Sequence, residues 1–177
     1  MKSKMGEKGF TLIELVVGLS IAAFVVGAAS MTTITMMRLT PQNTDWAVAL
    51  RQVQNAGYWI SHDVQMSQTT VADTDPGTPT FLTLTVPEWE TDAVVDKTIV
   101  YEFEDMPDGL KRLMRNNQTD VEETMIAESI SGDNDDTNAS YDDTSGTLTF
   151  TITATSGTAT VTRQYEAMQR VPAPPVP

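Results

Sequence analysis

The chain has 177 residues, a mass of 19.3 kDa, a net charge of -13 and a pI near 4.2, which leaves room for one modest domain and a membrane segment. So acidic a surface argues against a nucleic-acid partner, because phosphate binding needs clustered Lys and Arg. The absence of cysteine excludes disulfides and thiolate metal sites.

Charge is distributed unevenly along the chain. Residues 1–9 carry Lys2, Lys4 and Lys8 against Glu7, and from Phe10 to Met37 the one charge is Glu14. That stretch is 28 residues long, with 23 consecutive uncharged positions after Glu14, and about 20 apolar residues suffice to cross a bilayer. A basic stub, an apolar run and an acidic remainder predict a single-pass protein of the cytoplasmic membrane, with its N-terminus inside and its C-terminal domain outside. Two other readings compete. A buried core helix is shorter and rarely apolar on every face. A cleaved secretory signal would use the small residues Val26-Gly27-Ala28, but the apolar run continues beyond them.

Pro41 predicts a kink or short break, since proline supplies no amide hydrogen and crowds the preceding turn. Helical periodicity then resumes, with Trp46, Ala49, Leu50, Val53, Ala56, Ile60 and Val64 at spacings of three and four. An amphipathic helix over 39–70 stacked on the apolar segment 10–38 would make a rod of roughly 85 Å at 1.5 Å per residue. After Gln68 the texture changes. A turn-rich patch from Ala72 to Pro79 is followed by alternating segments at 81–86, 98–103, 109–115, 147–152 and 158–165, rich in β-branched and aromatic residues. The expected fold is α+β: a long N-terminal helix whose second half covers an antiparallel sheet over 71–170. Val171-Pro-Ala-Pro-Pro-Val-Pro177 cannot form helix or central strand and is expected to be an extended end.

The segment Lys8-Gly9-Phe10-Thr11-Leu12-Ile13-Glu14-Leu15-Val16-Val17 resembles the processing site of type IV prepilins and pseudopilins. The resemblance implies residues 1–9 as a leader removed by a prepilin peptidase after Gly9. It implies Phe10 as the residue methylated on its new amine, and Glu14 as the carboxylate used in assembly. The physics of the motif agrees. Cleavage places a positive amine on Phe10 at the edge of an apolar helix, and Glu14 of a neighbour could neutralise it, since two ions buried together cost less than either alone. The plainer reading has Glu14 snorkelling to the interface or staying protonated.

Gly18 with Ala22, and Ala23 with Gly27, have the four-residue spacing that lets membrane helices approach, although small residues are common in any such helix. Major pilins often carry a proline within the apolar segment. None lies between Phe10 and Met37, which leans the resemblance towards a minor pilin or pseudopilin. Residues 49–63 look like the post-membrane helix of minor subunits of the PilW and PulJ/GspJ type. The partners implied are the peptidase, other pilin or pseudopilin subunits, an inner-membrane assembly platform and membrane lipid.

Catalytic and metal constellations are weak. Ser61-His62-Asp63 are consecutive, so on a helix they fan apart and cannot converge as a triad. With one histidine and no cysteine, zinc has almost no ligands. The acidic stretch 131–143 offers Asp133, Asp135 and Asp136 as candidate calcium ligands, but its spacing departs from an EF-hand and a solvated loop is the plainer reading. Asn117 and Asn138 open nominal glycosylation sequons. No cofactor and no enzymatic activity are expected. Two functions of different class remain: a filament subunit that is built into or primes a pilus or pseudopilus, or an exported binding domain with a conventional signal peptide. The mature N-terminus discriminates them, Phe10 for the first and about Ala29 for the second.

Overall fold

The computed structural model describes residues 10–73, 79–90, 93–118, 122–133 and 136–170. They form one helix, α1 (Leu12–Met66), followed by eight strands: β1 (Thr69–Ala72), β2 (Thr80–Glu90), β3 (Ala93–Asp105), β4 (Lys111–Asn117), β5 (Glu122–Ile130), β6 (Asn138–Asp142), β7 (Thr147–Ser156) and β8 (Ala159–Met168). The chain divides into two units, Met1–Pro41 and Gln42–Pro177.

In the first unit the helix is apolar all round. Its hydroxyl side chains turn back on the helix itself: Ser20, Ser30, Thr32, Thr33, Thr35 and Thr40 each donate to the carbonyl four residues earlier, at 2.8–3.1 Å. Polar groups satisfied in this way can sit in a hydrocarbon environment without a water partner. The helical backbone continues through Pro41, so the short break expected there is absent. A proline forfeits one hydrogen bond, and the turns on either side hold theirs.

The second unit is α+β. All strand pairings are antiparallel, in the order β1-β2-β3-β4-β5-β7-β6, with β8 on the other side of β7. Helical spacing puts Ala49, Val53, Ala56, Ile60 and Val64 on one face, and all five are fully buried against Leu82, Leu84, Tyr101, Leu113, Leu148, Phe150 and Ile152. Full burial of one such Val, Leu or Ile contributes about 1.5–3 kcal/mol, so this face dominates the stability of the unit. Trp46, expected on the same face, is 50% exposed. Its neighbour Asp45 already faces Gly157 and Thr158 in the β7–β8 turn, so Trp46 lies at the rim of the cover.

Two close approaches require glycine. Gly157 has φ +54°, and a Cβ there would overlap the Asp45 carboxylate. A Cβ on Gly57 would overlap the ring of Tyr165, which lies on the helix, donates from its hydroxyl to the Val53 carbonyl at 3.2 Å and stacks on Phe150 at 5.2 Å.

Three strands, β1, β5 and β6, have no counterpart among the alternating segments read from sequence. β5 is the most instructive. It pairs with β4 through two register shifts and meets β7, among the described residues, at the single pair Ile130–Ala154. Its open edge is completed by the helix: Gln52 accepts from the Glu128 amide at 3.2 Å, and Asn55 donates to the Ile126 carbonyl at 2.5 Å. Ser129, at φ +60°, sits at the irregularity. β6 occupies part of the acidic stretch read as a loop, because pairing with β7 places Ala139 in the core while its charged neighbours stay in water.

Candidate functional site

The helix start is built by four residues. Thr11 donates to Glu14 Oε2 from its amide (3.0 Å) and from its hydroxyl (2.8 Å), and that hydroxyl accepts the Glu14 amide at 3.3 Å. The Leu15 amide bonds the Thr11 carbonyl at 3.2 Å. This is a reciprocal capping box, in which both orphan donors at a helix N-terminus find oxygen. The carboxylate is thereby held beside Phe10 rather than ranging freely, and its second oxygen, Oε1, is left by Thr11 for another donor. Phe10 itself is 88% exposed. Gly9, with the rest of the leader, lies outside the described residues. Thr11 was not singled out in the sequence reading, although Thr-x-x-Glu ahead of an apolar run is the readable signal of such a box.

Behind this start the apolar surface has no cover within the chain. Leu12, Ile13, Leu19, Phe24, Val26, Met31 and Met37 are all more than half exposed. Gly18 and Gly27 have open space around them. The segment contains an 18-residue window of mean hydropathy 2.3, none of it buried, so α1 is long and apolar enough to cross a membrane. Apolar surface of this extent is covered in the working protein by lipid or by other helices.

A second polar cluster lies in the globular unit. Asp63, 3% exposed, accepts from Tyr101 Oη at 2.6 Å, Arg115 Nε at 2.7 Å and Arg115 Nη2 at 3.3 Å. The Arg115 guanidinium also lies over the Trp59 ring, 5.4 Å from its centroid. Burial, and then the Asp63 charge, hold the Tyr101 hydroxyl well above its usual pKa. For Arg115, burial works downward, but the bonds and charge of Asp63 outweigh it and the net shift is upward. Every member is thus fixed in one ionisation state. The cluster pins the helix to β3 and β4, and no member is poised for proton transfer. Ser61, His62 and Asp63 fan apart: Asp63 turns inward, while the His62 side chain is half exposed and stacks on Tyr58 at 6.1 Å.

The acidic stretch holds itself together. Asp136 accepts from the Ser131 hydroxyl at 3.0 Å, and the Asp133 carbonyl accepts the amides of Asp136 and Thr137 at 3.0 and 2.8 Å. Asp142 caps the β6–β7 turn, and its bonds from the Ser145 hydroxyl and the Thr144 amide lower its pKa. Among the described residues no three His, Asp or Glu side chains gather as a metal site. Asp133 and Asp136 are therefore not brought together as ligands, and Asp135 lies outside the described residues. Of the two sequons, Asn117 is buried, where a glycan has no room, and Asn138 is exposed on β6.

Residues 4–30 match the family model of the prokaryotic N-terminal methylation motif. No curated protein and no solved structure matches the chain. The chain therefore carries a prepilin-type motif of the kind found in type IV pilins and pseudopilins, on an apolar helix long enough for membrane anchoring, ahead of an α+β globular unit.

Proposed function

We propose that this protein is a minor type IV pilin, cleaved by a prepilin peptidase after Gly9, methylated on Phe10, and inserted as a subunit into a pilus filament that it helps to prime. It works by assembly and not by catalysis. The single observation that carries the reading is the methylation motif at residues 4–30 placed on a helix whose apolar surface is fully exposed. The leader is cytoplasmic, the helix waits in the inner membrane, and the globular unit lies outside. Assembly then exchanges lipid for neighbouring helices around residues 10–37, and Glu14 meets the amine of an adjacent subunit. A pseudopilin of a secretion or competence system is the second reading, favoured by a helix that is uninterrupted from Leu12 to Met66.

The test is the mass of the mature N-terminal peptide from membranes of the natural host. The reading requires a chain that begins at monomethylated Phe10. A chain that begins near Ala29 would make the protein an ordinary export and end the proposal.

A further inference from the structure

Between α1 and β8 runs a groove of about 370 Å³, walled by Gln54, Tyr58, Ser61, His62, Gln65 and Tyr165. It combines aromatic faces with hydrogen-bond donors. Tyr58 is 64% exposed and stacks on His62, so two rings stand together in water on a helix face that packs on nothing. Tyr165 forms the opposite wall, and Gly57 beneath it provides the depth that a side chain would fill. The amides of Gln54 and Gln65, the Ser61 and Tyr58 hydroxyls and the His62 ring all bring N–H or O–H groups to the same place.

We propose that this groove seats the chain's own segment 171–177, docked as a polyproline II strand. Three observations choose that occupant. The first is where the segment begins: the Arg170 amide donates to the Gln65 carbonyl at 3.2 Å, so the chain leaves β8 at the groove's own wall. The second is length. Seven residues at about 3.1 Å each reach roughly 22 Å, whereas the helix from Gln65 back to Gln54 covers about 16 Å at 1.5 Å per residue; the difference allows the reversal the path requires. The third is chemistry. Four of the seven residues, Pro172, Pro174, Pro175 and Pro177, lack an amide hydrogen, so the segment presents proline rings and an excess of unpaired carbonyls. Aromatic faces with donors between them are what such a strand needs. A second copy of the whole chain is a poorer occupant, since each copy carries a net charge of -13.

The sole histidine of the chain lies in the groove, which makes a direct test available. The rate at which diethyl pyrocarbonate modifies His62 is measured by peptide mass spectrometry on three proteins in detergent: the full chain, the chain ended after Arg170, and a full chain carrying Pro174→Gly and Pro175→Gly. A short tether gives an effective concentration in the millimolar range, so even a weak contact is occupied much of the time, and removing the segment should raise the His62 rate by about three-fold. The double glycine variant, which keeps the fold and the length, should show most of that rise. Dilution of the full chain should leave its rate unchanged. Equal rates in all three proteins would overturn the proposal. Protection that fades on dilution would overturn it too, by assigning the groove to a segment from another molecule.

Discussion

Residues 12–41 and 42–66 belong to one continuous helix, yet they meet opposite fates. In the first, Leu12 and Phe24 are each 82% exposed; in the second, Ala49, Val53, Ala56, Ile60 and Val64 are fully buried. Both stretches are helical by the same backbone chemistry, so helix formation is not what separates them. The difference lies in what can cover the apolar surface. The second stretch concentrates it on one face and leaves polar residues to meet water and the edge of β5, and one curled sheet suffices. The first spreads it all round, which no single sheet can cover, and only lipid or several other helices can. The one charge in the first stretch, Glu14, is capped locally and exposed, whereas the charge in the second, Asp63, is buried and paired across the fold. A change at each should therefore be read out differently.

The largest expected effect separates assembly from folding. Glu14→Val makes the helix more apolar, so cleavage and membrane retention persist, while the partner for a neighbouring amine is lost. Recovery of the variant with sheared filaments or partner subunits should drop to background, with the globular unit as stable as before. Undiminished incorporation would remove Glu14 from assembly. The reverse pattern is expected of Arg115→Ala. It strands Asp63 as a buried, unpaired charge, and breaking such a pair costs about 3–5 kcal/mol. Denaturant titration of the purified chain should show that loss; a shift within experimental error would mean that water reaches Asp63.

A smaller effect is expected at Gly57→Ala. Better helix propensity would add about 1 kcal/mol, but the new methyl meets a Tyr165 ring that cannot retreat from Phe150. Overpacking of about 1–3 kcal/mol should win, and a melting temperature above wild type would show that the ring moves freely. The pH response also belongs to the buried stretch. Tyr101 has its folded pKa raised above the model value of 10.0, so above about pH 10 the unfolded chain releases a proton that the folded one retains. Its contribution is complete below that pH and is lost as pH climbs towards the folded pKa. Stability should fall in that alkaline range, and less steeply in Tyr101→Phe. The smallest effect is at the surface: Asp105→Asn breaks a solvated 3.0 Å pair with Lys111, and a stability change beyond about 1 kcal/mol would be unexpected for an exposed ion pair.

Much of this was written locally in the chain. The span of the apolar run, the Gly9-Phe10 junction, Glu14 five residues into the mature segment, and the three-and-four spacing from Ala49 to Val64 depend only on residue type and period. So do the alternating segments within β2, β3, β4, β7 and β8. What sequence could not decide was anything settled by distant partners. Asp63 stands beside the chain's one histidine and reads as a polar helix residue; its role exists because Tyr101 and Arg115, far along the chain, arrive opposite it. Gln52 and Asn55 read as solvent positions and instead complete the edge of β5. β5 and β6 escaped periodicity because one is bent by register shifts and the other is short and acidic, each held by pairing to a neighbour rather than by its own pattern. Covalent neighbours determine period, charge and processing signals, so the helix and the motif could be read directly. Burial and pairing are properties of two surfaces that meet, and only the folded sheet decides which residues those surfaces contain.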